Sequence, residues 1–197
     1  MSDITDQGPV GGIVRICVMV PDGETLTRVP LYYARGAQPE EEIQTNRYEG
    51  DDTSQEQDEI LAARVTVLCD KWDFDAVQTI FGKTRVTAGL APEVAWAMYM
   101  QDDTEVAGAG PLGLEIYQKF KDESVTPNDA AYIRRYYPYG IAKVMRTQNA
   151  EWKAKFPMQL NFTMQKTTVD AVEDALPGVP SGGAYYRIDR LNTLPVF

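Results

Sequence analysis

Nine carboxylates, Glu40, Glu41, Glu42, Glu49, Asp51, Asp52, Glu56, Asp58 and Glu59, fall between residues 40 and 59, with Arg47 as the one base among them. This run carries −8 of the chain's formal net charge of −10. Carboxylate oxygens are the hard donors that Ca²⁺ takes, but the spacing is not that of an EF-hand loop. A solvated, self-repelling loop is the simpler reading, and a surface that turns polyanions away is a third. The pairs Asp102/Asp103 and Glu173/Asp174 supply the two carboxylates of a glycoside hydrolase. Both sit in turn-like sequence without the apolar neighbours that make a carboxyl an acid catalyst, so surface charge accounts for them.

Other chemistry is sparse. The chain has no histidine, which removes Ser-His-Asp and Cys-His nucleophilic systems. Its two cysteines, Cys17 and Cys69, cannot complete a four-ligand zinc site; each lies in an apolar run and reads as a buried free thiol. Gly108-Ala109-Gly110-Pro111-Leu112-Gly113 lacks the Lys-Ser/Thr of a phosphate loop and reads as a turn. Asn161-Phe162-Thr163 matches a glycosylation sequon but falls inside a strand pattern. Arg134 and Arg135 stand beside Tyr132, Tyr136, Tyr137 and Tyr139. Strand alternation puts the two arginines on opposite faces, which spoils a continuous basic groove. Arg134, Arg135, Tyr136 and Tyr137 fit a protein–protein interface better than a base-stacking platform. No metal or cofactor is expected.

Around these residues the chain reads as strands. From Phe156 to Gln165, large apolar residues (Phe156, Met158, Leu160, Phe162, Met164) alternate with uncharged polar ones (Gln159, Asn161, Thr163, Gln165). One face belongs to a core and the other suits a wet or protein-covered surface. Ile13–Val20 and Thr25–Ala34 flank Pro21-Asp22-Gly23-Glu24 and form a hairpin; Pro30 marks an edge or a bulge. Residues 35–59 have little apolar content and read as a long acidic loop. Ile60–Lys71 is a strand. A helix follows over residues 73–81, with Asp73 as N-cap, Phe74, Val77, Ile80 and Phe81 on one face, and Gly82 as its stop. Val94–Gln101, Leu114–Lys121, Ala130–Tyr139 (interrupted at Pro138-Tyr139-Gly140), Ile141–Thr147 and Ala184–Ile188 are further strand segments.

The fold class is therefore mainly β: an antiparallel β-sandwich or barrel with one short flanking α-helix, extended N- and C-terminal arms and a long acidic loop. Residues 1–12 form an N-terminal arm, 13–167 the β domain and 168–197 a C-terminal extension laid over it. No run approaches the roughly 20 apolar residues that span a bilayer, and Met1-Ser2-Asp3-Ile4-Thr5-Asp6 has neither the basic nor the apolar region of a signal peptide. A cytoplasm-like compartment is the default expectation. A nucleic-acid binder would show a basic patch, and none is evident.

The order of parts resembles the major tail tube proteins of long-tailed bacteriophages. The pieces that carry the resemblance are the hairpin Ile13–Ala34, the polar loop Arg35–Glu59 with Tyr48-Glu49-Gly50-Asp51, the helix Asp73–Phe81, the aromatic strand before Pro138, and the alternating strand that ends in Gln165-Lys166. They cover roughly residues 10–167; residues 168–197 have no counterpart in that pattern. The resemblance implies a non-enzymatic structural subunit of the virion. Six copies would close into a ring through their sheet edges, and rings would stack into a tube that passes DNA without binding it. The implied partners are further copies of the chain, a tape measure protein, and tail tip or terminator proteins, with assembly in the bacterial cytoplasm and no membrane. Glu40, Glu41, Glu42, Arg47, Tyr48, Glu49, Asp51 and Asp52 would make the inter-ring or inter-subunit contact. Gln159, Asn161, Thr163 and Gln165 would line the lumen or a contact. A tail terminator, adaptor or capsid decoration protein is the alternative, and an acidic carbohydrate-active enzyme a more distant one.

Overall fold

A computed structural model describes residues 10–50, 53–86, 97–98, 109–120, 131–146 and 158–195. Residues 1–9 of the arm 1–12, Asp51, Asp52, Asp102, Asp103, Phe156 and most of the predicted strand Val94–Gln101 lie outside the described residues, while the arm's last three residues belong to the first strand. The described strands are β1 (Val10–Asp22), β2 (Thr25–Pro30), β3 (Ala34–Gly50), β4 (Thr53–Cys69), β5 (Arg85–Val86), β6 (Ala97–Met98), β7 (Ala109–Phe120), β8 (Ala131–Arg146), β9 (Met158–Met164) and β10 (Arg187–Leu191), with one helix, α1 (Phe74–Phe81).

Eight strands form a single antiparallel sheet in the order β2-β1-β7-β8-β9-β4-β3, with β10 added to β8; β5 and β6 pair separately. The terminal strands β2 and β3 do not pair, so the sheet is open. One face encloses the core, built from Ile16 and Val18 of β1, Val65 and Val67 of β4, Leu114 and Ile116 of β7, Leu160 and Phe162 of β9, and Val77, Ile80 and Phe81 of α1. Residues from both halves of the strand order meet there, with the helix packed against them.

The strongest periodic signal is realised residue by residue. Met158, Leu160, Phe162 and Met164 are buried, while Gln159, Asn161 and Thr163 are half-buried on the other face. The hairpin β1–β2 turns at Gly23, whose φ of 64° suits glycine. In α1 the Asp73 side chain accepts from the Ala76 N–H at 3.2 Å, and Gly82 ends the helix with φ 62°. Phe74 departs from the expected apolar face. It is partly exposed and stacks on Trp72 at 5.9 Å, while Ala76 takes the core position.

Three expectations are corrected. Residues 35–59, read as a loop, are the arms of a long hairpin: β3 and β4 pair from Ala34↔Cys69 to Gly50↔Thr53, with shifts near Gly36 and between Glu42 and Ile43. Glu, Gln, Asn and Asp are poor strand formers in isolation, but the ladder continues from Val65, Val67 and Cys69, whose burial fixes the register. Residues 109–113, read as a turn, belong to β7, where register shifts between Ala109, Leu112 and Leu114 absorb Pro111. Pro138-Tyr139-Gly140 does not interrupt β8; it marks where β8 changes neighbour. Tyr132–Tyr136 pair with β10, whereas Gly140–Arg146 pair with β9. Gly140 is needed there, since a Cβ would lie 2.7 Å from the Thr163 carbonyl oxygen.

Candidate functional site

The hairpin β3–β4 is the most distinctive element. Strand β9 accompanies β4 only over Ala63–Cys69. Beyond that, from Ile43↔Ile60 to Gly50↔Thr53, the two strands pair only with each other among the described residues. At about 3.4 Å per residue this is a two-stranded extension of about 25 Å. It holds most of the acidic run: Glu40 and Glu41 are exposed at its root, Glu42, Arg47, Tyr48 and Glu49 follow along β3, and Asp51 and Asp52 fall outside the described residues. The opposite end of the same hairpin, at Ala34 and Cys69, is aromatic. Tyr32 is 79% exposed; Tyr33 lies under the Lys71 ammonium at 5.6 Å, and Trp72 and Phe74 are adjacent.

The polar residues of β9 belong to a wider surface. Register places Gln38, Thr66, Asn161 and Lys143 in one row across β3, β4, β9 and β8, and Glu40, Arg64, Thr163 and Ile141 in the next. Thr66 Oγ1 donates to Asn161 Oδ1 at 3.1 Å. The rows are mostly polar, with Lys143 and Arg64 against Glu40, a surplus of one cation. Gln165 lies just past the strand, exposed, with its N–H donating to the Tyr139 carbonyl.

Arg134, Arg135, Tyr136 and Tyr137 do split by strand alternation, and each has a partner within the chain. Tyr137 faces the core and touches the Tyr186 ring at 5.4 Å. Arg135, on the same side, lies over Tyr186 at 5.2 Å. Tyr136 and Arg134 face the other way, toward a buried carboxylate that sequence reading missed. Glu115 of β7 is 1% exposed. Its Oε1 accepts from Arg134 Nη1 at 2.9 Å and Arg28 Nη2 at 3.4 Å; its Oε2 accepts from Arg28 Nε at 2.9 Å and from the Tyr117 hydroxyl at 2.7 Å. Arg134 also reaches Asp189 of β10, which Arg187 holds from the other side. The bond to Glu115 raises the Arg28 guanidinium further above its ordinary range, while burial, then Glu115, raises the Tyr117 phenol. Both Glu115 oxygens are committed, so the cluster ties β2, β7, β8 and β10 together. The available signal was Glu115 flanked by Leu114, Ile116 and Tyr117, a strand with apolar residues on both faces.

The cysteines are free and buried, and burial pushes both thiols from 9.0 up to about 12. Among the described residues no group of three or more acidic, Cys or His side chains is placed to hold a metal, and no helix is long and apolar enough to cross a membrane. In comparisons with known proteins, the chain matches no protein-family model and no curated sequence.

Proposed function

We propose that this chain is a structural subunit of a bacteriophage tail, assembling with copies of itself into rings that stack as the tube through which DNA leaves the virion. The observation that carries the reading is the long acidic hairpin, β3–β4, whose outer half has no other neighbour among the described residues. A bare two-stranded ribbon is marginally stable in water, and a second copy would give it a surface to rest on. Two further features support the reading. Among the described residues, strands β2, β3 and β10 each have one neighbour in the sheet, and open edges are sites of pairing between chains. The rows through Asn161 and Thr163 are mostly polar and carry a surplus of only one cation, which suits a wall that leaves DNA mobile, because adsorption to phosphates needs many cations. In this reading Glu40, Glu41, Glu42, Arg47, Tyr48, Glu49, Asp51 and Asp52 contact a neighbouring subunit. Hexameric rings, the tape measure and tip or terminator partners, and assembly in the host cytoplasm follow from the resemblance.

Electron microscopy of the purified chain across a concentration series tests this. The expected result is hollow tubes or stacked rings of one diameter. A single ring that never stacks would favour a terminator or adaptor, and a monomer at every concentration would count against self-assembly.

A further inference from the structure

Strand β8 is paired on both sides. One side belongs to β7, from Ala109↔Ala142 to Phe120↔Ala131. On the other, β9 takes Gly140–Arg146 and β10 takes Tyr132–Tyr136. So β10 continues the line of β9, and both run antiparallel to β8. Strand β4 is the next strand beyond β9, paired from Cys69↔Met158 to Ala63↔Met164. Past Ala63 it leads on toward the end of the sheet where β10 lies, and there β3 is its one neighbour among the described residues. The empty place beside β10 is therefore the one β4 takes if the sheet continues. A hinge stands at that point. Glu42↔Ala62 is followed by Ile43↔Ile60, so Leu61 is an extra residue in β4. Such a bulge bends its strand and sharpens the twist.

These two free edges differ from the other edges of the sheet. Leu31 donates its N–H to the Ile16 carbonyl at 2.9 Å. By alternation the Pro30 nitrogen then points outward from β2, with no hydrogen to offer a further strand. Pro39 of β3, opposite Val65, has no N–H to give β4 and leaves its outer edge short of a donor in the same way. Prolines so placed keep an edge single. Neither β10 nor the stretch Thr53–Ile60 contains one. Ile188 of β10 is a large apolar side chain left 58% exposed, which a strand alongside would cover. By sequence, β10 carries Arg187 and Arg190 against Asp189, whereas residues 53–60 carry Glu56, Asp58 and Glu59 with no base.

We infer that the outer half of β4 closes onto β10 within the same chain, as an antiparallel pair that swings about Leu61. Counting from Gly140↔Met164↔Ala63 and passing over Leu61, Arg187, which lies opposite Tyr136, meets Asp58, and Ile188 meets Gln57. Asp189 falls opposite Glu56 and is already held by Arg134 and Arg187. The closure does not depend on the tube reading. Combined with it, the acidic hairpin has a resting place in the free subunit, and a neighbouring copy must compete with β10 for it.

Crosslinking tests it. The full-length chain with Gln57→Cys and Ile188→Cys is oxidised mildly at low protein concentration and low salt. Opposed residues of an antiparallel pair lie within disulfide reach, and the native thiols are buried. The expected product is a monomer with an internal disulfide, formed at a rate independent of protein concentration. A control chain with Gln57→Cys and Glu24→Cys, at the β1–β2 turn, is expected to form none. Asp58→Lys sets a like charge opposite Arg187 and should slow closure roughly twofold to fivefold; Arg187→Glu on the same chain restores part of the rate. Circular dichroism confirms that each variant is folded. Absence of the internal disulfide would overturn the inference, as would equal crosslinking of the control or a rate indifferent to Asp58→Lys. A disulfide found only between chains would overturn it too and assign the edge of β10 to a second copy. Locked monomers that stack into tubes only after reduction would support closure and the tube reading together. An internal disulfide in a chain that never forms tubes would support closure and sink the tube reading.

Discussion

At the scale of residues, Glu115 is the most consequential side chain that sequence reading missed. Removing one partner from a buried ion pair leaves the others desolvated and uncompensated, at a cost of about 3–5 kcal/mol. Glu115→Ala is expected to lower the stability of the chain by that amount, as read from the midpoint of denaturant unfolding. Burial also sets an alkaline limit. Cys17 and Cys69 rise from 9.0 to about 12, and Tyr136 from 10.0 to about 12. Between these values the unfolded chain has lost protons that the folded chain retains, so stability falls as pH rises. The contribution is complete below pH 9.0 and lost by about 12. Native protein should resist thiol reagents at pH 8 and become fully labelled on unfolding; rapid labelling of either cysteine in the folded state would contradict its burial. The burial of both cysteines and the two faces of β9 were legible because local alternation encodes them. The partners of Glu115 were not, since Arg28 is 87 residues away in sequence, and no local pattern links them.

At the scale of elements, the helix and the first hairpin were legible because their signals are local: an N-cap, a glycine stop and a turn. The second hairpin was hidden by its composition, which opposes strand formation until the buried half of β4 imposes a register. Among the described residues its outer half pairs only with itself, so shortening it should cost little. Replacing residues 44–59 by a two-residue Asn-Gly turn is expected to change unfolding stability by no more than about 1 kcal/mol while abolishing self-assembly in the microscope. A large loss of stability would mean that the extension belongs to the core unit. Pro138 misled in another way. A proline and a glycine in the middle of an aromatic run look like a break, yet in β8 they sit where the strand exchanges one neighbour for another.

At the scale of the whole molecule, one sheet is built from strands far apart in sequence. Thr66 of β4 meets Asn161 of β9 across 95 residues. At about 5–20 residues per second of synthesis, the inner half of β4 waits roughly 5–20 s on the ribosome for its partner. During that interval Val65, Val67 and Cys69 lie on an apolar strand without its second neighbour, the kind of segment that aggregates. Nine carboxylates stand immediately upstream in the sequence, and charges flanking a hydrophobic strand act as gatekeepers against aggregation. Neutralising Glu56, Asp58 and Glu59 to their amides should lower the soluble yield on refolding at high protein concentration and leave it unchanged at high dilution. On that account the charge of the acidic hairpin acts on the chain from the moment it leaves the ribosome, before any core has formed.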